Sequence, residues 1–324
     1  MNVFFTVDTE FHPINGWISE ETIKDDIGRD IDGTTPFGEF GTYFQAEILT
    51  QHGLKAVFFV EALSGRAAAS YDLRTVVERI RACGHEVGLH LHPEWLRRVP
   101  SSSFLPGRSG SLMRHFSLED QTLLVAKGIE HLRACGVDTV HSFRAGGYGA
   151  NVDTLHALAR NGVRYDSSHN ASWMGSTCDI QTDEPLLQPK EIAGVYEFPV
   201  TNFQDWPGHS RHAELCACSS RELEFALLAA WRKGWHSVVI VSHSFEMIKG
   251  RQVGCAPPWY PDYVVINRFK RLCRFLQSNR DKFQTATFAD LDASTFPHIA
   301  DEPVAGRLWN TAWRFAEQAY RRLS

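Results

Sequence analysis

Short apolar runs alternate along this chain with longer stretches in which apolar residues return every three or four positions. Val3 to Val7, Val57 to Val60, Val163 to Tyr165 and Val238 to Val241 are of the first kind. Leu73, Val76, Val77 and Ile80 keep the spacing of one helix face, and Leu118, Thr122, Val125, Ile129 and Leu132 keep it within one substitution. Gly53, Gly84, Gly136, Gly162 and Gly234 each stand between a helical stretch and the next apolar run, where a helix C-terminus favours the left-handed residue. Ser117 with Asp120 forms a capping-box start for the second helix named. Further runs near Val87, Val140 and Thr285 bring the expected total to seven or eight strands. Continuous apolar strands separated by helices imply a parallel sheet covered on both faces. No glycine-rich phosphate loop follows the first strand, so the expected fold is an α/β (β/α) barrel, closed or incompletely closed, rather than an open doubly wound sheet.

Two segments fall outside the rhythm. Phe11 to Tyr43 is expected to rise over the top of the barrel. At the other end, Trp309, Ala312, Trp313, Ala316, Tyr320 and Leu323 form one helical stripe flanked by Arg314, Arg321 and Arg322. The chain therefore divides into a barrel over residues 1–297 and a C-terminal amphipathic helix over 298–324. That stripe is expected to pack on the barrel wall, with a membrane-surface or dimer contact as the alternative.

Composition narrows the function. The 324 residues are 43% hydrophobic and 22% charged, enough for one large core. A formal charge of −5 without a basic patch excludes a nucleic-acid partner. No run approaches the roughly 20 apolar residues of a transmembrane segment. The opening MNVFFTVDTE is broken by Asp8 and reads as a strand, not a signal peptide. None of the seven cysteines forms a C-x-x-C pair, and Cys216 and Cys218 have no matching pair for a zinc site. The expectation is a reduced, cytoplasmic enzyme.

The chemistry collects where strands end. Asp8 and Glu10 follow the first strand, His90 and His92 end the one after Gly84, and Arg144 ends the next. Asp166 follows Val163 to Tyr165, and His243 follows Val238 to Val241. Barrel sites are built at the C-terminal rim, so these residues are expected to converge. Singly, each has an ordinary structural use, such as a loop cap, a core histidine or an ion pair. Together, a carboxylate and imidazoles suit zinc or a similar divalent ion with one position open.

These motifs, in this order, resemble the polysaccharide deacetylase family, carbohydrate esterase family four, over about residues 1 to 290. T-V-D-T-E places Asp8 at the family's catalytic base; Thr9 stands in one metal position, and Glu10 matches a branch that puts the carboxylate there. In G-H-E-V-G-L-H, His90 matches the first metal histidine. The family's second lies four residues on, where this chain has Glu94, and His92 stands between them. R-A-G-G-Y matches the third motif at Arg144, with Gly146 and Gly147 replacing the Pro and the aromatic, and Tyr148 displaced by one. Y-D-S-S resembles the fourth motif, with Asp166 orienting the acid histidine, and V-S-H places that acid at His243.

The resemblance implies a metal-dependent hydrolase that removes an N-acyl group from an amino sugar. One divalent ion, zinc for preference, would be held by Glu10, His90 and His92, with Glu94 competing as third ligand. Asp8 would be the base, Arg144 its partner, and His243 the acid oriented by Asp166. Tyr148, Trp95 and Trp206 are the substrate-binding candidates, with Trp17 and Trp259 as further aromatic faces; His12 is assigned to a loop hydrogen bond, with a contact to the metal as the alternative. A nucleotide- or lipid-linked glycan precursor is the expected substrate. The alternatives are hydrolysis of another carbon–nitrogen bond on the same scaffold, or an inactive glycan-binding relative.

Overall fold

Seven strands with mostly buried side chains carry the sheet of the computed structural model, which describes residues 1–13, 20–98, 105–183, 186–250, 258–292, 296 and 302–323. They are β1 (Asn2–Thr9), β2 (Val57–Glu61), β3 (Glu86–Leu91), β4 (Ser142–Ala145), β5 (Tyr165–Asp166), β6 (Val195–Glu197) and β7 (Ser237–His243). The order across the sheet is β7-β1-β2-β3-β4-β5-β6, parallel throughout. Lys190–Ile192 adds an antiparallel edge beyond β6, and Gln284–Thr285 pairs with the start of β1. Between β6 and β7 the ladder gives way to isolated bonds. Thr201 N–H donates to Val239 O at 3.2 Å, and Val241 exchanges bonds with Ala213 and Leu215 at 2.8 and 2.9 Å. The result is an incompletely closed barrel.

Helices form before each of the five glycines and along the C-terminal stripe, and a further one, Tyr263–Ser278, was not anticipated. They are α1 (Thr42–Gln51), α2 (Leu73–Ala82), α3 (Leu118–Ala134), α4 (Val152–Arg160), α5 (Ser220–Arg232), α6 (Tyr263–Ser278) and α7 (Leu308–Leu323). In α2 the buried face is Leu73, Val76, Val77 and Ile80. Ser117 Oγ caps α3 by accepting from Asp120 N–H, and Gly84 and Gly136 follow α2 and α3 at φ of 80° and 95°. The segment after β1 is less irregular than expected, because Glu20–Ile27 is helical and leads into a π-helical turn at Gly28–Asp32.

Alternation along the strands sorts two cores. Val3, Phe5, Val7, Phe58 and Val60 pack outward with the helices. Phe4, Phe59, Tyr165, Phe198, Val239 and Phe288 pack together on the concave side. On that side Phe4 is followed by Thr6 and Asp8, because strand side chains repeat every second residue. The register then levels the rim: Asp8 is opposite His243, His90 is opposite Glu61 and Arg144, and Asp166 is opposite Glu197.

The C-terminal helix departs from expectation. α7 docks through its polar face: Arg314 reaches Glu222 and Asp205 at 3.0 and 2.8 Å, and Thr311 Oγ1 donates to Asp205 O at 2.9 Å. The aromatic stripe faces away from the barrel. Periodicity located the stripe, but not which side of the helix found stronger partners. The boundary expected at 297/298 and the side chain of Leu323 lie outside the described residues.

Gly88 is a tight point of the concave layer. A Cβ there would stand 2.7 Å from both the Phe59 ring and Ser142 Oγ. Gly88→Ala is expected to lower the unfolding free energy by about 1–3 kcal/mol, the usual cost of overpacking. A urea midpoint equal to wild type would contradict this packing.

Candidate active site

Glu10 lies one residue beyond β1 and is buried. Three imidazole nitrogens converge on its Oε2: His92 Nε2 at 2.5 Å, His90 Nε2 at 3.1 Å and His12 Nε2 at 3.8 Å. The far nitrogens of two rings are already held. His90 Nδ1 lies 2.8 Å from the carbonyl oxygen of Arg144, and His92 Nδ1 lies 3.2 Å from Glu94 Oε1. With Nδ1 turned to an outer acceptor, each ring directs its Nε2 at the Glu10 carboxylate. A proton or a metal ion can bridge such a nitrogen and the carboxylate. His92 Nε2 is buried and makes no directed hydrogen bond despite its 2.5 Å approach. Among the described residues Glu10, His12 and His92 present ligand atoms close enough to share one ion, with His90 at the same carboxylate oxygen; this donor set fits a divalent metal, with outer hydrogen bonds of the kind that orient metal-binding histidines.

The charges respond accordingly. Burial would lift the Glu10 carboxyl, but the nearby His92 and His12 rings, and then His90, hold it well below the usual range. Burial would depress the His92 ring, but Glu10 and then Glu94 raise it well above that of an ordinary histidine.

The two competitors for third ligand occupy different shells. His92 reaches Glu10, whereas Glu94 backs His92 from behind. Gly146 explains how His92 fits. A Cβ at Gly146 would stand 2.5 Å from Cδ2 of the His92 ring, so the missing Pro of the third motif and the shifted histidine belong together. Glu61 supports the same turn, accepting from His92 N–H at 3.3 Å, Leu63 N–H at 3.1 Å and Ser64 N–H at 2.6 Å. His12 sits at the mouth, its loop held by Asp30 on its N–H at 2.8 Å and by Arg29 on its carbonyl at 2.5 Å. The expected loop hydrogen bond is thus made by its backbone, leaving the ring beside Glu10.

Beside the Glu10 cluster lies a carboxylate–imidazole pair. Arg144 is fully buried; its Nη1 meets Asp8 Oδ1 at 2.7 Å and Thr6 Oγ1 at 2.9 Å, and its other nitrogens meet Ser167. The second oxygen of Asp8 faces His243 Nε2 at 3.9 Å. His243 Nδ1 contacts Glu246 Oε1 at 2.8 Å and lies 3.7 Å from Glu214 Oε1. Burial works against charge on this ring, but Glu246, then Asp8 and Glu10, push its pKa up to about 10. Glu214, held down to about 2 against burial by His212 and His243, supplies a standing negative charge.

Asp166 is not the partner of His243. Its neighbour Tyr165 packs in the concave cluster, and alternation turns Asp166 the other way, where its Oδ1 accepts from Ser168 Oγ at 2.7 Å. There it faces Glu197, whose carboxyl is pushed well above the usual range by burial and by Asp166. The partners Glu246 and Glu214 were missed by sequence reasoning. Glu246 had a signal, three residues after His243 in the turn that ends β7, whereas Glu214 arrives from a distant loop.

The aromatic candidates separate. Trp95 is buried against Phe11, with ring centroids 4.8 Å apart, and offers no face to a sugar. Trp206 is half exposed on the hairpin Asn202–Trp206 and His209–His212, whose Asp205 is held by α7. Tyr148 is buried, within the electrostatic reach of Arg144, Asp8 and Glu214, and adopts φ of 57°, a strained value for a non-glycine residue. Trp259 lines a recess with His12 and Phe245. Trp17 lies outside the described residues.

His92→Ala is expected to abolish stoichiometric zinc binding, measured by elemental analysis and calorimetry. Glu94→Ala should weaken it by about 10–100-fold, the effect of losing a hydrogen bond to a ligand. Gly146→Ala should displace His92 and weaken zinc while the circular dichroism spectrum is retained. Full binding by His92→Ala would refute this ligand set.

No family model and no curated protein matches this chain. Solved structures do. A Mycobacterium smegmatis protein assigned to the polysaccharide deacetylases aligns over 89% of this chain and 87% of its own, at 16% identity and a TM-score of 0.55. A family 4 carbohydrate esterase from Streptomyces lividans aligns over 88% and 92%, at 12% identity and a TM-score of 0.44. A 4-alpha-glucanotransferase from Thermococcus litoralis aligns over 95% of this chain but 42% of its own, at 13% identity and a TM-score of 0.56. Likeness at this level concerns the fold. The chain has a fold shared by a deacetylase-assigned protein and a glucanotransferase, so its reaction has to be argued from the site.

Proposed function

We propose that this chain is a divergent, metal-dependent member of the polysaccharide deacetylases that hydrolyses the N-acyl amide of an amino sugar. The observation that carries this reading is the juxtaposition of the Glu10–His90–His92 cluster with the Asp8–Arg144 pair and with His243. Glu10, His90 and His92 would hold a divalent ion, which would supply Lewis acidity for the acyl carbonyl. Asp8, held in place by Arg144, takes the proton of the attacking water. An amine leaves only when protonated, and His243 donates that proton from Nε2 as the carbon–nitrogen bond breaks. Glu246 fixes the ring from Nδ1, so the edge that faces Asp8 is the one that donates. The backbone of the same turn is clamped: Gln45 Nε2 donates to His243 O at 2.9 Å, and Ser244 N–H donates to Asp8 O at 2.9 Å.

Glu10 is engaged by imidazoles, which leaves Asp8 as the carboxylate available for proton transfer. Acetylated amino-sugar oligomers are the substrates to try first, followed by nucleotide- and lipid-linked forms.

Asp8→Asn and His243→Ala are each expected to reduce kcat on an N-acetylated amino-sugar substrate at least about 100-fold, the scale of general acid–base catalysis, with zinc still bound. Full activity in either variant would refute these roles. The working form of His243 is protonated, so the rate should fall as pH rises through its pKa. Glu246→Gln removes a group that raises this pKa and should move the alkaline limb to lower pH, whereas Asp166→Asn should leave that limb in place. The reverse pattern would return the orienting role to Asp166.

A further inference from the structure

The segment Arg307 to Leu323 carries four arginines and one glutamate in a chain whose net charge is −5. Its 16-residue helix α7 has two sharply different faces. Thr311, Arg314, Glu317 and Arg321 point inward, to Asp205, Glu222, Arg268 and Asp262. Arg314 and its two carboxylate partners are buried, so rolling the helix over would strand three charges. The outward face is apolar: Leu308 is 59% exposed, Trp309 79%, Phe315 51% and Tyr320 64%, with Trp313 beside them and Ala312, Ala316 and Ala319 between. An apolar stripe held outward by buried ion pairs on the other side is a built surface.

We propose that this face of α7 docks the protein on an anionic lipid bilayer. Tryptophan and tyrosine favour the bilayer interface, and an amphipathic helix with basic residues beside its apolar face lies in that plane. The charges flanking the stripe complement such a surface. Arg307 and Arg322 are exposed, Arg221 lies over the Trp313 ring at 4.0 Å, and the one acidic residue of the helix, Glu317, is bonded to Trp313 and Arg268. A second copy would bring these arginines against one another. No helix among the described residues is long and apolar enough to cross a membrane, so the contact is peripheral. The last turn of α7 also reaches the active-site side, since Arg321 lines the recess that holds His12, Phe245 and Trp259. Docking along α7 would therefore set that mouth close to the lipid surface. The inference stands apart from the deacetylase reading.

Co-sedimentation of the full chain with vesicles tests it directly. The protein is expected to pellet with phosphatidylglycerol–phosphatidylcholine vesicles and less with phosphatidylcholine alone. The Trp309→Ser/Phe315→Ser variant should partition at least about tenfold less, because buried apolar area sets the strength of such binding. Arg307→Gln/Arg322→Gln should lose the preference for the anionic lipid. Both variants change exposed residues, and an unchanged urea midpoint and circular dichroism spectrum would show them folded. Absence of binding to either vesicle overturns the proposal. So does a wild-type dimer, seen by light scattering, that fails to bind vesicles and is dissociated by Trp309→Ser/Phe315→Ser.

Discussion

Arg144 is the residue on which both halves of the site depend. Its guanidinium, fully buried, holds Asp8, Thr6 and Ser167, while its own carbonyl oxygen fixes the ring of His90. One residue thereby ties the carboxylate that would move a proton to the histidine that would hold a metal. A buried charge stripped of its partner costs about 3–5 kcal/mol, so the Asp8–Arg144 pair is a structural commitment as well as a chemical one. The parallel register makes the tie possible by placing Arg144 opposite His90, and Asp8 opposite His243.

The altered motifs compensate for one another. A proline at position 146 would bring a Cβ into collision with the present His92 ring. With glycine at 146, His92 can swing to Glu10, and Glu94 takes the outer position behind it. The acid side shows the same economy. Glu246 lies in the same turn as His243, which frees Asp166 to pair with Ser168 and Glu197 away from the reacting groups.

Much of this was legible in the sequence because parallel strands end at one level and the glycines after helices mark where each begins. Asp8, Glu10, His90, His92, Arg144 and His243 needed only the rim rule to be brought together. Asp166 failed because its strand spans two residues, too short for the alternation of faces to show as a pattern. Glu214 was invisible because a loop delivers it from between β6 and β7. The stripe on α7 was plain, but its direction was not, since a helical wheel says nothing about which face meets a buried Asp205 and Glu222. Trp95 was misjudged for a related reason: an aromatic at a loop edge turns inward when a partner such as Phe11 stands beneath it.

The shared fold with a glucanotransferase leaves the reaction to the site, and among the described residues carboxylates and imidazoles gather there in two places: Glu10 with its histidines, and Glu214 with His243 and Glu246. In this account the first holds a metal and the second holds a proton. Anomalous diffraction from crystals grown with zinc separates the two. The account predicts one strong peak within bonding distance of Glu10 Oε2, His90 Nε2 and His92 Nε2, and none at His243. A peak between Glu214, His243 and Glu246 with the Glu10 cluster empty would contradict it, because the group assigned to deliver the proton would then be a ligand.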